Sequence, residues 1–262
     1  MNHSFSAPAK KSLGQHFLAD RYYIDRIVQA VDPRAGQHLV EIGPGQGAIT
    51  FPLLRKHGAL TVIEFDRDLI APLTDAAAPI GALSIIHRDV LSVDFTALAD
   101  GTPIRLVGNL PYNISSPILF HALDHAGAVA DMHFMLQKEV VDRMAAGPGS
   151  KVYGRLSVML QAYCEVTALF VVPPGAFRPP PKVDSAVVRL VPRDPATVQI
   201  RDRRRFADVV RAGFGQRRKT LRNALSNVCE PAHFEAAQVR PDARAEQLEV
   251  ADFIRLANVE SA

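Results

Sequence analysis

The chain has 262 residues, 48% of them hydrophobic and 22% charged. That length makes one or two domains, and the composition is too apolar for a disordered chain. Its 30 basic and 27 acidic residues leave a surplus of only three, so the distribution of charge matters more than the sum. The longest strongly apolar run, Val166 to Val172, falls far short of the roughly 18 residues of a membrane span. The opening stretch, MNHSFSAPAKKSLGQHFL, lacks the apolar core of a secretory signal. Cys164 and Cys229 alone cannot build a disulfide framework or a zinc site, and they fit a reducing cytoplasm.

Short apolar runs alternate with segments of helical length through the first 190 or so residues. The predicted strands are His38 to Ile42, Leu60 to Phe65, Leu83 to His87, Ile104 to Asn109 and Met132 to Leu136. Strands spaced by helices imply βαβ units and a mostly parallel sheet. Glu165 to Val172 and Ala186 to Val191 are two more. The stiff Pro173-Pro174-Gly175 and Arg178-Pro179-Pro180-Pro181-Lys182 connection suits antiparallel pairing between them. Pro192-Arg193-Asp194-Pro195 marks a linker. Beyond it the pattern is helical, and between Arg201 and Arg222 nine basic residues face two acidic ones. The expected organisation is an α/β domain over 1–192 and a small, basic helical domain over 193–262.

Glu41-Ile42-Gly43-Pro44-Gly45-Gln46-Gly47 occupies a strand-to-helix turn. Glycines there allow a tight turn and close approach of backbone to a ligand. Pro44 lacks an N–H and Glu41 repels anions, so the loop disfavours a pyrophosphate. Glu41 suits a ligand that carries a cation. The alternative for the loop is a tight turn with no ligand. Glu64 closes the second strand, where a carboxylate accepts from both hydroxyls of a ribose. Asp89 ends the third, as an acceptor for an adenine amino group or as a helix N-cap. All three acids lie at the carboxyl ends of strands, where open α/β sheets bind their ligands.

The fourth strand ends in Asn109-Leu110-Pro111-Tyr112-Asn113. Asn109 brings an amide oxygen, Pro111 stiffens the turn and leaves the Leu110 carbonyl to accept, and Tyr112 offers a flat face for a base. Two acceptors on the hydrogens of a purine amino group favour a pyramidal nitrogen with its lone pair available. In-line attack on a methyl sulfonium then needs positioning and electrostatics rather than a strong base. Phe177, on the proline-stiffened loop, is expected to hold the other face of the base, in an interaction worth about 1–3 kcal/mol. The alternative for Phe177 is a core position under that loop. Arg178 and Lys182 flank it as candidate phosphate contacts.

By these residues the chain resembles the ribosomal RNA adenine N6-dimethylase family along essentially its whole length. It is most similar to the branch that dimethylates two adjacent adenosines in a hairpin loop near the 3′ end of small-subunit 16S ribosomal RNA. Further matching strings are Lys10 to Leu18, Gly149 to Val158, Phe177 to Ser185 and Phe214 to Leu221. The resemblance implies an α/β fold with a Rossmann-like, class I S-adenosylmethionine-dependent methyltransferase sheet and a small C-terminal helical domain. It implies S-adenosylmethionine as cofactor and no metal. His16 and Leu18 would meet the methionine end, Gly43 and Gly45 would lie against the cofactor, Glu64 would bind its ribose and Asp89 its adenine amine. Many members carry Asn in place of His16, so the contact expected there is through the backbone. Asn109 would meet both cofactor and target amine, and Tyr112 and Phe177 would sandwich the adenine. A monomer in the cytoplasm, bound to 16S ribosomal RNA in the small subunit or its precursor and to no membrane, completes the expectation.

The densest basic set comprises Arg201, Arg203, Arg204, Arg205, Arg211, Arg217, Arg218, Lys219 and Arg222. Contacts from such residues to phosphates make binding salt-dependent. Lys10, Lys11, Lys151 and Arg155 are expected to extend that surface. Other functions compete: an RNA-binding assembly factor whose methylation is secondary, a large-subunit ribosomal RNA methyltransferase, a DNA adenine methyltransferase, and a nicotinamide-dependent reductase. The strings Gly149 to Val158 and Phe214 to Leu221 oppose the second. The absence of a separate target-recognition region opposes the third. Pro44 and the lack of a Tyr-Lys pair oppose the last.

Overall fold

The computed structural model describes residue 10, residues 15–216 and residues 218–259. Lys11 and Arg217, both expected on the RNA surface, lie outside the described residues. The chain divides into two units, Met1–Val141 with Thr167–Pro192 and Asp142–Val166 with Arg193–Ala262. The second unit therefore takes in residues 142–166, which the sequence pattern groups with the first.

Seven strands build one sheet: β2 (His38–Ile42), β3 (Ala59–Glu64), β4 (Ala82–His87), β5 (Ile104–Asn109), β6 (Val129–Gln137), β7 (Cys164–Val172) and β9 (Ser185–Pro192). Their order is β4-β3-β2-β5-β6-β9-β7. The β2–β3, β3–β4, β2–β5 and β5–β6 pairs are parallel, and β6–β9 is antiparallel. All seven match the predicted apolar runs to within a few residues. The inner strands are continuous apolar runs because helices cover both faces of a parallel sheet. Four of the five β2 residues and five of the six β5 residues are buried.

Helices α1 (Arg21–Val31), α2 (Thr50–His57), α3 (Arg67–Ala77), α4 (Phe95–Ala99) and α5 (Ser115–Asp124) fill the connections. Their starts are chemically marked. Asp20 caps α1 by accepting from Tyr22 N at 2.9 Å, and Asp66 caps α3 by accepting from Asp68 N at 3.1 Å. Strand order reverses between β2 and β5, which opens a crevice at their carboxyl ends.

A second, two-stranded sheet was not legible in the sequence. β1 (Phe17–Leu18) pairs antiparallel with β8 (Phe177–Arg178), setting Leu18 opposite Phe177. Two-residue strands carry no readable period. This pairing straps the segment before α1 to the proline loop.

Helix α6 (Lys138–Ala145) leads out of the first unit. The second unit holds α7 (Arg155–Tyr163), α8 (Arg203–Gly215), α9 (Leu221–Ala224), α10 (Pro231–Ala236) and α11 (Val250–Asn258). Asp202 caps α8, whose buried face is Phe206, Val209, Val210 and Gly213. The Phe214 ring stacks on Phe253 with centroids 5.5 Å apart, and the Tyr153 hydroxyl donates to Leu248 O at 2.9 Å. Tyr153 thus ties the 142–166 segment to the C-terminal helices. Among the described residues no helix is long and apolar enough to cross a membrane.

Candidate active site

The carboxyl ends of β2, β3, β4 and β5 surround a cavity of about 260 Å³. The loop after β2 enters it through Gly43 and Gly45, at φ of 67° and 56°. Glycine adopts that left-handed backbone without strain. A side-chain carbon at Gly43 would meet nothing within 4 Å, so open space lies directly over the backbone; at Gly45 it would press the Phe17 ring at 3.0 Å.

Glu41 is the most unusual group on the wall. It is 1% exposed, and its Oε2, like the hydroxyl of Thr50, has no hydrogen-bond partner among the described residues. Burial pushes its carboxyl up to about 8, and the Glu64 charge adds to the rise. Glu41 is among the residues that line the cavity, and a buried acid beside it suits a cationic ligand better than an anionic one. Glu64 is also buried. Its Oε1 accepts from Asp66 N at 2.7 Å and its Oε2 from Gly45 N at 3.4 Å. Burial raises its pKa, and those backbone donors pull it back. Asp89 is exposed at the rim. One oxygen accepts from Leu91 N at 3.0 Å, so it does cap a short helical turn, and the other oxygen remains as an acceptor.

Asn109 ends β5 half-buried. Its Nδ2 donates to His16 O at 2.9 Å, which fixes the amide and leaves Oδ1 as the acceptor. Leu110 N donates to Met135 O at 3.1 Å, holding the turn before Pro111. The Tyr112 hydroxyl shares a hydrogen bond with Ser185 Oγ at 2.6 Å, and burial raises its pKa. The His16 ring lies over Tyr112 at 5.8 Å and 25°, and its Nδ1 is 2.9 Å from Pro179 O. Gln15, His16, Phe17 and Leu18 all line the cavity with Asn109, Pro111 and Tyr112. The wall also holds Phe65, 62% exposed, which the sequence pattern did not single out. Its position directly after a strand-ending acid is the signal that could have found it.

One expectation needs correction. Phe177 is fully buried among Leu18, Val172, Ala176 and other core side chains and does not line the cavity. The β1–β8 pairing carries it into the core, so it presents no stacking face. The Lys10 ammonium reaches Asp66 at 2.6 Å and Asp68 at 2.7 Å, and its pKa is raised by those bonds. Arg178 Nη1 braces its own loop through Gly175 O at 3.1 Å and Phe177 O at 2.9 Å. Lys182 is exposed on that loop, and Lys151, Arg155, Arg218, Lys219 and Arg222 are exposed in the second unit. Among the described residues no group of His, Cys, Asp and Glu is placed to hold a metal ion.

A glycine turn, an unpaired buried acid and three further polar acceptors at the switch point of a mostly parallel sheet define a class I S-adenosylmethionine-dependent methyltransferase. Residues 7–261 match the family described as ribosomal RNA adenine dimethylase. The chain belongs to that family.

The chain is 97% identical, over the whole of both chains, to a Xanthomonas oryzae pv. oryzae (strain PXO99A) protein named ribosomal RNA small subunit methyltransferase A. A Xanthomonas campestris pv. campestris (strain 8004) protein of the same name is 95% identical over the same span. Among solved structures, a dimethyladenosine transferase from Plasmodium falciparum superposes with a TM-score of 0.80 at 25% identity, covering 92% of this chain and 96% of that one. The 23S rRNA methyltransferase ErmE gives a TM-score of 0.71, also at 25% identity, covering 92% and 98%.

Proposed function

We propose that the chain transfers methyl groups from S-adenosylmethionine to N6 of two adjacent adenosines in a 3′-terminal hairpin loop of 16S ribosomal RNA, giving N6,N6-dimethyladenosine during small-subunit biogenesis. The observation that carries this reading is Asn109. Its amide is locked by His16 O so that Oδ1, beside Pro111 and Tyr112, accepts from an amine entering the cavity. The family match and the names of the near-identical relatives support the substrate class.

When bound, S-adenosylmethionine supplies an electron-poor methyl group for in-line attack by an amine. The chain's own residues do the rest. Glu41 sets negative charge beside the cationic end of the ligand, Glu64 accepts from hydroxyls, and Asp89 accepts from an amino group through its remaining oxygen. Gly43 leaves the backbone bare for close contact, and His16 and Leu18 close the cavity on the strap side. Asn109 Oδ1 and the Leu110 carbonyl orient the target amine and hold its hydrogens, while Tyr112 provides the face for its base. Adenosines in a loop are already partly unstacked, so presenting one costs less than flipping it from a duplex.

The second unit, with 193–262 as its main RNA-binding part, presents Lys151, Arg155, Arg218, Lys219 and Arg222 to phosphates, and the proline loop adds Lys182. The two buried, free cysteines fit work in a reducing cytoplasm, where the chain acts as a monomer. The test is uptake of labelled methyl groups by unmethylated small subunits offered beside large ones. Label in the small subunits alone is expected; label in the large subunits alone contradicts the assignment.

A further inference from the structure

A base resting on Tyr112 has its other face free, and Phe177, the aromatic expected there, is buried in the core. The structure offers a different ring. The His16 imidazole lines the cavity and lies nearly parallel to the Tyr112 ring, tilted by 25° with centroids 5.8 Å apart. Two rings in direct contact can approach to about 4.5 Å. A base held between them sets them about 7 Å apart, two layers of about 3.5 Å each. The observed separation lies between these values, so roughly 1 Å of opening turns the pair into a slot one base thick.

His16 is anchored on both sides of its ring. Its backbone O accepts from Asn109 Nδ2 at 2.9 Å, which ties it to the residue that orients the target amine. Its Nδ1 lies 2.9 Å from Pro179 O; a carbonyl only accepts, so Nδ1 carries the proton and donates. The chain that follows is strapped down: Phe17 pairs with Arg178, Leu18 with Phe177, and Ala19 N donates to Ala176 O at 2.8 Å. Swinging the ring clear of Tyr112 would break the bond to Pro179, whereas opening by roughly 1 Å leaves the backbone anchors in place. We propose that His16 is the second wall of the target-base slot, its imidazole closing on the face of the adenine opposite Tyr112. The inference rests on the base site proposed at Tyr112 and names the residue that completes it.

The experiment compares His16→Ala, His16→Asn and His16→Phe with the wild type, all as full chains, in methylation of unmethylated small subunits. Calorimetry of S-adenosylmethionine binding runs alongside. Losing one stacked face in His16→Ala should lower kcat/KM for the subunits about 5- to 150-fold. His16→Asn keeps a donor for Pro179 O but has no ring, and should fall as far. His16→Phe keeps a ring without the donor, and should recover most of the loss. The cofactor dissociation constant should move far less than kcat/KM, since the contact expected with the cofactor at this position is through the backbone. Recovery by Phe and not by Asn upholds the wall. Recovery by Asn and not by Phe overturns it and leaves His16 as a tether for the proline loop. A faster His16→Ala overturns it and makes the imidazole a plug that the base must displace. Unchanged rates in all three, or an equal loss matched by weaker cofactor binding, also overturn it. A wild type that methylates no subunit overturns the base site and this inference with it, whereas the other outcomes leave the site standing.

Discussion

Replacing Glu41 by Gln keeps the side chain's shape but removes its ability to ionise. In the folded chain the carboxyl is pushed up to about 8 from an ordinary 4.5, chiefly by burial. Between those values the folded state holds a proton that the unfolded chain has released. Stability therefore falls as pH rises through this interval, by a little over 1 kcal/mol per pH unit. Across the whole interval the loss is roughly 3–5 kcal/mol, a large part of a normal folding free energy. Glu41→Gln cannot suffer it. Thermal or urea unfolding from about pH 5 to about pH 9 should show the two proteins converging at the acid end. At the alkaline end the variant should be the more stable. Saturating S-adenosylmethionine should flatten the wild-type curve, because a cationic ligand favours the charged carboxylate. Parallel curves for wild type and variant would refute the reasoning and show that Glu41 is solvated or paired.

Asn109→Ala should lower the methyl-transfer rate by about 100-fold or more, the cost of losing one positioned polar group. Its stability should drop by only about 1 kcal/mol, for the lost bond to His16 O; a similar loss in both readouts would make the residue structural. Phe177→Ala should cost about 3–5 kcal/mol in urea unfolding, as for any fully buried aromatic, and a change below about 1 kcal/mol would return the ring to the surface. Asp131→Ala leaves the Arg105 guanidinium buried without its carboxylate, to which it donates at 2.8 and 2.9 Å. That loss should cost about 3–5 kcal/mol, and a neutral result would mean that water replaces the pair. Neutralising Arg218, Lys219 and Arg222 together should reduce the salt slope of RNA binding by about 0.7–0.9 for each phosphate the chain no longer neutralises; an unchanged slope would leave the three on a solvated face.

The sheet was legible because its strands are buried on both sides, which writes apolar runs such as Leu39-Val40-Glu41-Ile42 directly into the chain. The acids were legible because strand ends are where a parallel sheet binds its ligand. Features that depend on distant partners were not. Lys10 pairs with Asp66 and Asp68, 56 and 58 positions away, and nothing near it in sequence signals those partners. Phe177 reads as an exposed aromatic because the prolines after it suggest a surface loop, yet pairing with Leu18 draws it inward. Residues 142–166 look like a continuation of the α/β pattern, but the bond from Tyr153 to Leu248 lies 95 positions away and leaves no local signal. The place of the His16 ring on Tyr112 is a property of packing alone.

The activity proposed for this cavity is dimethylation of adenosine in small-subunit ribosomal RNA. It is tested most directly by incubating the protein with S-adenosylmethionine and unmethylated small ribosomal subunits, digesting the RNA and resolving the nucleosides by mass spectrometry. The expected product is N6,N6-dimethyladenosine, absent when Asn109→Ala replaces the wild type. Small subunits that bind the protein yet yield no methylated adenosine would contradict it and leave a binding role in subunit assembly.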